Sequence, residues 1–144
     1  MKTNLMQTAV AILALAPAGY AQSAQELKVT VPFDFVAGSR ALAAGQYTIS
    51  QAGNPSAVVI RSAGSATGVI MIANRVAFPG RQEFGKLVFH RYGNHYFLSE
   101  VWGTDQDMGS QVPKAAQERE LAKNSRNNEA TILVAAPQNR VGKN

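Results

Sequence analysis

The stretch KLVFHRYGNHYFLSEVW, residues 86–102, is the strongest structural signal in this chain. Two runs rich in aromatic and β-branched residues flank Gly93-Asn94, and the stretch contains both histidines of the protein. Glycine adopts positive φ without a Cβ clash and asparagine tolerates it, so a two-residue Gly-Asn loop is typical of the tight turns that close β-hairpins. The stretch therefore predicts an antiparallel hairpin with Gly93-Asn94 as its turn.

The position of the turn predicts which side chains share a face of the hairpin. With Gly93 and Asn94 as the loop, Tyr92 lies opposite His95, and side chains alternate between two faces along each strand. One face consists of Val88, His90, Tyr92, His95, Phe97 and Val101, and the other of Leu87, Phe89, Arg91, Tyr96, Leu98, Glu100 and Trp102. The second face has the larger aliphatic share, so we expect it to face the core. A one-residue bulge would exchange the two faces in part.

Four side chains of the first face form the candidate binding surface, which we call the aromatic face: His90, Tyr92, His95 and Phe97. Rings with polar tips suit stacking on sugars or contact with a protein partner. The alternative is that another strand, a helix or the N-terminal segment covers this face, since large exposed apolar patches are rare on monomers. Two imidazoles are at most half of a zinc site, so stacking explains them more simply, and we expect neither a metal nor a cofactor.

Glu100 supports the only enzymatic hypothesis, a hydrolase or metal enzyme that uses this carboxylate with His90 and His95. A buried carboxyl could serve as a general acid. An ion pair with an arginine such as Arg91 or Arg75, or a position at the rim of the core, is the simpler interpretation of Glu100. Ser99 lacks the glycine-flanked turn of a serine nucleophile. We therefore expect no catalytic residue and favour a non-enzymatic binding or structural role.

The first residues show the three-part layout of a secretory signal. Lys2 is followed by an apolar run from about residue 10 to residue 16, and small residues flank Tyr20. We expect a signal peptide at residues 1–21, a single β domain at residues 22–136 and a polar tail at residues 137–144. The apolar run is shorter than the ~20 residues that a membrane-spanning helix needs. These features predict a protein of the periplasm or the cell exterior with no transmembrane segment after signal removal.

Charge and cysteine content exclude several classes of partner and chemistry. The net charge of +5 is dispersed rather than clustered, so we expect no nucleic acid partner; an envelope polymer, a glycan or a protein fits better. There is no cysteine, which excludes disulfides and thiolate chemistry. Buried apolar area must therefore hold the domain together.

Elsewhere the chain alternates between short strand patterns and turns. Residues 26–36 alternate strictly and predict one strand, and Pro32 indicates that this strand lies at a sheet edge or that its position 32 faces outward from the ladder. Residues 69–72 are apolar on both faces and predict a strand covered on both sides, which suggests as an alternative function a carrier of a small apolar ligand in a barrel. Pro113 and the following ten residues predict a helix. The fold class is all-β with one short late helix, an antiparallel sandwich or partly closed barrel of about seven strands.

Four of these motifs together resemble a group of small exported bacterial β-rich proteins that are uncharacterised. They are VPFDF at residues 31–35, LAAGQY at residues 42–47, the hairpin stretch, and VPK at residues 112–114 with EREL at residues 118–121. The group typically has proline where Ala43 stands. The resemblance spans most of residues 22–136 and implies an exported β domain, and it implies no catalytic residue, ligand or cofactor.

Overall fold

The computed structural model describes residues 26–136 except 52–53, 55, 66, 105 and 125–128. The predicted signal peptide and polar tail lie outside the described residues. The elements, in chain order, are β1 (Leu27–Val31), β2 (Phe35–Ala37), β3 (Arg40–Leu42), β4 (Gly45–Gln51), β5 (Ala57–Ser62), β6 (Gly68–Ile72), β7 (Asn74–Gln82), β8 (Lys86–Tyr92), β9 (His95–Trp102), β10 (Gln106–Gln111), α1 (Ala116–Asn124) and β11 (Glu129–Ala135). No helix in this described part of the chain is both long and apolar enough to cross a membrane.

The strands form two antiparallel sheets. Sheet A has the order β1-β4-β5-β6, and sheet B has the order β11-β8-β9-β10-β7, with the short pair β2-β3 joined to β9 by a parallel contact between Val36 and Phe97. Neither sheet closes into a barrel. The prediction of an all-β fold with one short late helix is confirmed, and the architecture is the sandwich rather than the barrel.

The core fills the space between the sheets with side chains from alternate positions of each strand. In β1, Leu27, Val29 and Val31 are buried while the intervening Lys28 and Thr30 are exposed. Such alternation arises because successive side chains of a strand point to opposite faces. The core cluster also contains Phe35, Ala37, Tyr47, Ile49, Val58, Ile60, Val69, Met71, Ala73, Leu87, Phe89, Leu98 and Val112. Burial of each such large apolar side chain contributes about 1.5–3 kcal/mol.

The single strand predicted for residues 26–36 is instead two strands in different sheets. β1 ends at Val31 and pairs with β4 in sheet A, whereas β2 begins at Phe35 in sheet B. Pro32 has no N–H to donate to a ladder, and Asp34 Oδ1 accepts a hydrogen bond from the backbone N–H of Ala44 at 2.9 Å. The chain therefore crosses from sheet A to sheet B at residues 32–34. Within this crossing, Phe33 stacks on Tyr96 of β9, with ring centroids 3.9 Å apart.

The predicted hairpin and turn are present in β8 and β9. Pairs run from Tyr92 with His95 to Phe89 with Leu98, as the turn position predicts, and Gly93 has a φ of 61°. The register then shifts, so that Val88 pairs with Glu100 and Ser99 is the extra residue of a bulge. Beyond a bulge, each side chain points to the face of the sheet opposite to the one that regular alternation predicts. The predicted faces of Glu100, Val101 and Trp102 are therefore wrong, because Val101 packs against the core and the other two lie on the opposite side.

The predicted two-sided burial of residues 69–72 is also wrong. β6 is the last strand of sheet A, and while Val69 and Met71 are buried in the core, Ile70 and Ile72 are 70% and 67% exposed. A cavity between the sheets, lined by residues such as Leu27, Val58 and Met108, has a volume of about 40 Å³. A water molecule needs about 10–15 Å³ of such space, so this cavity has room for only a few waters.

Candidate functional site

Helix α1 contacts part of the predicted aromatic face through Glu118, which reaches His90 and Tyr92. Tyr92 and Phe97 are only 2% and 1% exposed, with their rings in an edge-to-face contact at 5.9 Å. His90 is partly buried, and His95 is exposed beside the turn, at a shallow groove that Asp34 and Tyr96 also line. Of the four predicted binding residues, the structure therefore brings His90 and Tyr92 into contact with the helix, buries Phe97 beside Tyr92, and leaves only His95 on the open surface.

A buried carboxylate attaches the helix to this face. Glu118, the third residue of α1, is only 2% exposed. Its Oε1 accepts a hydrogen bond from the Tyr92 hydroxyl at 3.2 Å and lies 3.0 Å from His90 Nδ1, while Glu129 Oε1 on β11 lies 3.8 Å from the same nitrogen. We call His90, Tyr92, Glu118 and Glu129 the Glu118 cluster. A buried carboxylate is stable only when such partners compensate for its lost hydration.

The electrostatics of the Glu118 cluster favour a protonated imidazole at His90. The hydrogen bond to Glu118 raises the pKa of His90 above its ordinary value of 6.5, against the opposing effect of burial. Burial, followed by the negative charge of Glu118, raises the pKa of the Tyr92 hydroxyl, so this group stays protonated and donates. The cluster therefore acts as a polar attachment point between α1 and sheet B.

The remaining groups of the enzymatic hypothesis have other partners. Glu100 Oε2 accepts a hydrogen bond from the Trp102 indole N–H at 2.7 Å, rather than forming the predicted ion pair with Arg91 or Arg75. The indole also lies over Gly109, where a Cβ would come within 2.6 Å of the ring, so a glycine is required there. Within the described residues, no group of three or more His, Asp or Glu side chains could hold a metal ion.

The surface that sequence reasoning missed is the free edge of β6. Across the ladder between β5 and β6, Ala73 donates to Ser56 and Ser62 donates to Thr67. Because hydrogen-bonded and non-bonded pairs alternate in an antiparallel ladder, Met71 and Val69 bond to β5 as well. The N–H and C=O groups of Gly68, Ile70 and Ile72 must then point away from β5, and among the described residues no strand pairs with that side.

A groove runs along this free edge. It has a volume of about 400 Å³ and is lined by residues 38–40, by β6 itself, and by Val112 and Pro113. On the outer face of the sheet, the side chain of Arg61 crosses Gly68, with its Cγ 3.5 Å from the place where a Cβ would stand. We use the name open edge for three features together: the free backbone groups of β6, the side chains of Ile70 and Ile72, and this groove.

The open edge lacks the protection that other edge strands of this protein carry. Natural proteins blunt sheet edges with charged side chains or proline. β1 contains Lys28, β7 contains Arg75 and β11 contains Glu129, whereas GVIMI of β6 contains neither a charge nor a proline. The absence of charge and proline from GVIMI is visible in the sequence, but it is equally typical of a strand that is buried on both sides.

Comparison with protein-family models, with curated proteins and with solved structures finds no match for this chain. The resemblance to small exported bacterial proteins stays a prediction.

Proposed function

We propose that this chain is an exported, non-enzymatic β-sandwich domain that binds an extended segment of another polypeptide by adding it to β6 as a fifth strand of sheet A. The observation that carries the proposal is the unpaired, uncharged edge with Ile70 and Ile72 exposed beside a groove. The periplasm or the cell exterior is the expected place of action, on the layout of residues 1–21.

Strand addition supplies both backbone hydrogen bonds and side-chain contacts to the bound segment. The backbone of the added segment would bond to the N–H and C=O groups of Gly68, Ile70 and Ile72, and each such bond contributes about 1 kcal/mol net. Its side chains would alternate between the groove and the outer face, where they would cover part of Ile70 and Ile72. After the cost of association, we expect a dissociation constant in the micromolar to millimolar range.

The proposal is tested with a labelled peptide of about ten residues in which valine and threonine alternate, a length that matches a long strand. Ile70→Pro removes one free-edge N–H without touching the ladder to β5, while the control Ile70→Val keeps that N–H and the β-branched shape. Fluorescence anisotropy should show binding to the wild type and to Ile70→Val, and at least tenfold weaker binding to Ile70→Pro.

A peptide that is N-methylated on the edge-facing amides provides a test that leaves the protein unchanged. It should fail to bind the wild type, because it can no longer donate to the carbonyl groups of β6. Equal binding of the methylated and unmethylated peptides would refute strand addition, as would full binding to a folded Ile70→Pro variant.

A further inference from the structure

We propose that the open edge selects segments that carry acidic side chains and come from a different polypeptide, an inference that rests on the proposed function. Two arginines border the open edge from opposite sides. Arg40 lines the groove, and Arg61 crosses Gly68 on the outer face. Among the described residues that line the groove, none is acidic.

Both arginines are available to a partner. Among the described residues, neither Arg40 nor Arg61 forms an ion pair, and both are exposed. Lys114, which directly follows the groove residue Pro113, is a third exposed cation in the vicinity. A segment bound along β6 would therefore have a cation on each of its faces, and glutamate or aspartate on either face would pair with the arginine on that face.

A second copy of this chain fits the same edge less well. Two β6 strands paired with each other would bring two sets of Arg40 and Arg61 to one shared edge and would supply no acidic group, because GVIMI is uncharged. Like charges repel along such an edge, and the net charge of +5 on each chain adds to that repulsion. Charge complementarity thus favours an acidic partner over self-association.

The inference is tested with three labelled peptides of equal length in which valine alternates with glutamate, threonine or lysine. The glutamate peptide should bind best and the lysine peptide worst, with about a tenfold ratio between them, because each exposed ion pair changes a dissociation constant by up to about fivefold. The ratio should shrink as salt is added.

The double variant Arg40→Glu/Arg61→Glu should reverse this order. Its matched control, Lys28→Glu/Arg91→Glu, makes the same change in net charge at exposed positions away from β6 and should keep the glutamate peptide first. If the control reverses the order as well, net charge rather than the two arginines selects the peptide, and the inference fails.

The outcomes separate the inference from the proposed function. Equal binding of all three peptides would overturn charge selection and leave strand addition standing. Binding of none would overturn both proposals. A dimer in light scattering that Ile70→Pro converts to a monomer would identify a second copy as the occupant and overturn the choice of an acidic partner.

Discussion

The aromatic face of the hairpin and the outer face of β6 are both rich in large apolar side chains, yet only the first is covered. On the hairpin, Tyr92 and Phe97 are buried, and helix α1 is attached at Tyr92 and His90 through Glu118. On β6, Ile70 and Ile72 lie at the end of a sheet, and no described element packs over them. The difference is that the hairpin face carries polar side chains, His90 and Tyr92, to which a helix is attached, whereas the polar groups that β6 presents at its free edge belong to the backbone.

The largest contrast between the two surfaces should appear in stability. Phe97→Ala removes a ring that is 1% exposed, and we expect it to lower the free energy of unfolding by about 4 kcal/mol. Ile72→Ala, on the exposed surface of β6, should cost less than about 1 kcal/mol. Chemical denaturation of both variants measures the contrast. Comparable losses would mean that Ile72 is covered in solution.

The attachment of α1 can be tested on the helix itself. Glu118→Ala removes the nearest acceptor of the buried Tyr92 hydroxyl and the carboxylate beside His90, and we expect a loss of about 3 kcal/mol. Glu120→Ala, two residues further along, breaks an exposed pair with Lys123 and should cost less than about 0.5 kcal/mol. The denaturation midpoints of the two variants, each compared with the wild type, measure this difference. Equal shifts of the midpoint would show that the Glu118 cluster does not stabilise the docked helix.

A smaller effect should follow from pH. Glu118 raises the pKa of His90 above 6.5 in the folded protein, and Glu129 acts in the same direction while Lys114 opposes it. A raised folded-state pKa means that protonation stabilises the fold. This contribution is fully present below pH 6.5 and is lost as the pH rises through the raised value.

Thermal unfolding from about pH 5 to about pH 9 should therefore show the wild type losing stability relative to His90→Gln as the pH increases. A constant difference between the two proteins across that range would show that the pair does not form in solution.

The parts of the fold that local chemistry governs could be predicted from the sequence. Gly93-Asn94 gives the hairpin turn and its first four pairs, because only a short list of residues fits a two-residue loop. The bulge at Ser99 could not be predicted in this way, since no glycine or proline marks it, and Glu100 and Trp102 were placed on the wrong face as a result.

The candidate site depends on tertiary contacts that no local pattern shows. Glu118 looks like an ordinary solvated helix residue, so nothing in its neighbourhood predicts that it is the buried contact to Tyr92. An apolar run such as residues 69–72 fits a central strand and an unprotected edge equally well. Which of the two occurs depends on the strand order, and hydrophobic periodicity does not encode strand order.

Residue-resolved amide hydrogen exchange along β6 tests the central claim most directly. If the edge is open, the amides of Ile70 and Ile72 should exchange rapidly while those of Val69 and Met71, bonded to β5, should be protected, and the acidic peptide should slow the first pair selectively. Uniform slow exchange across β6 in the free protein would contradict the account.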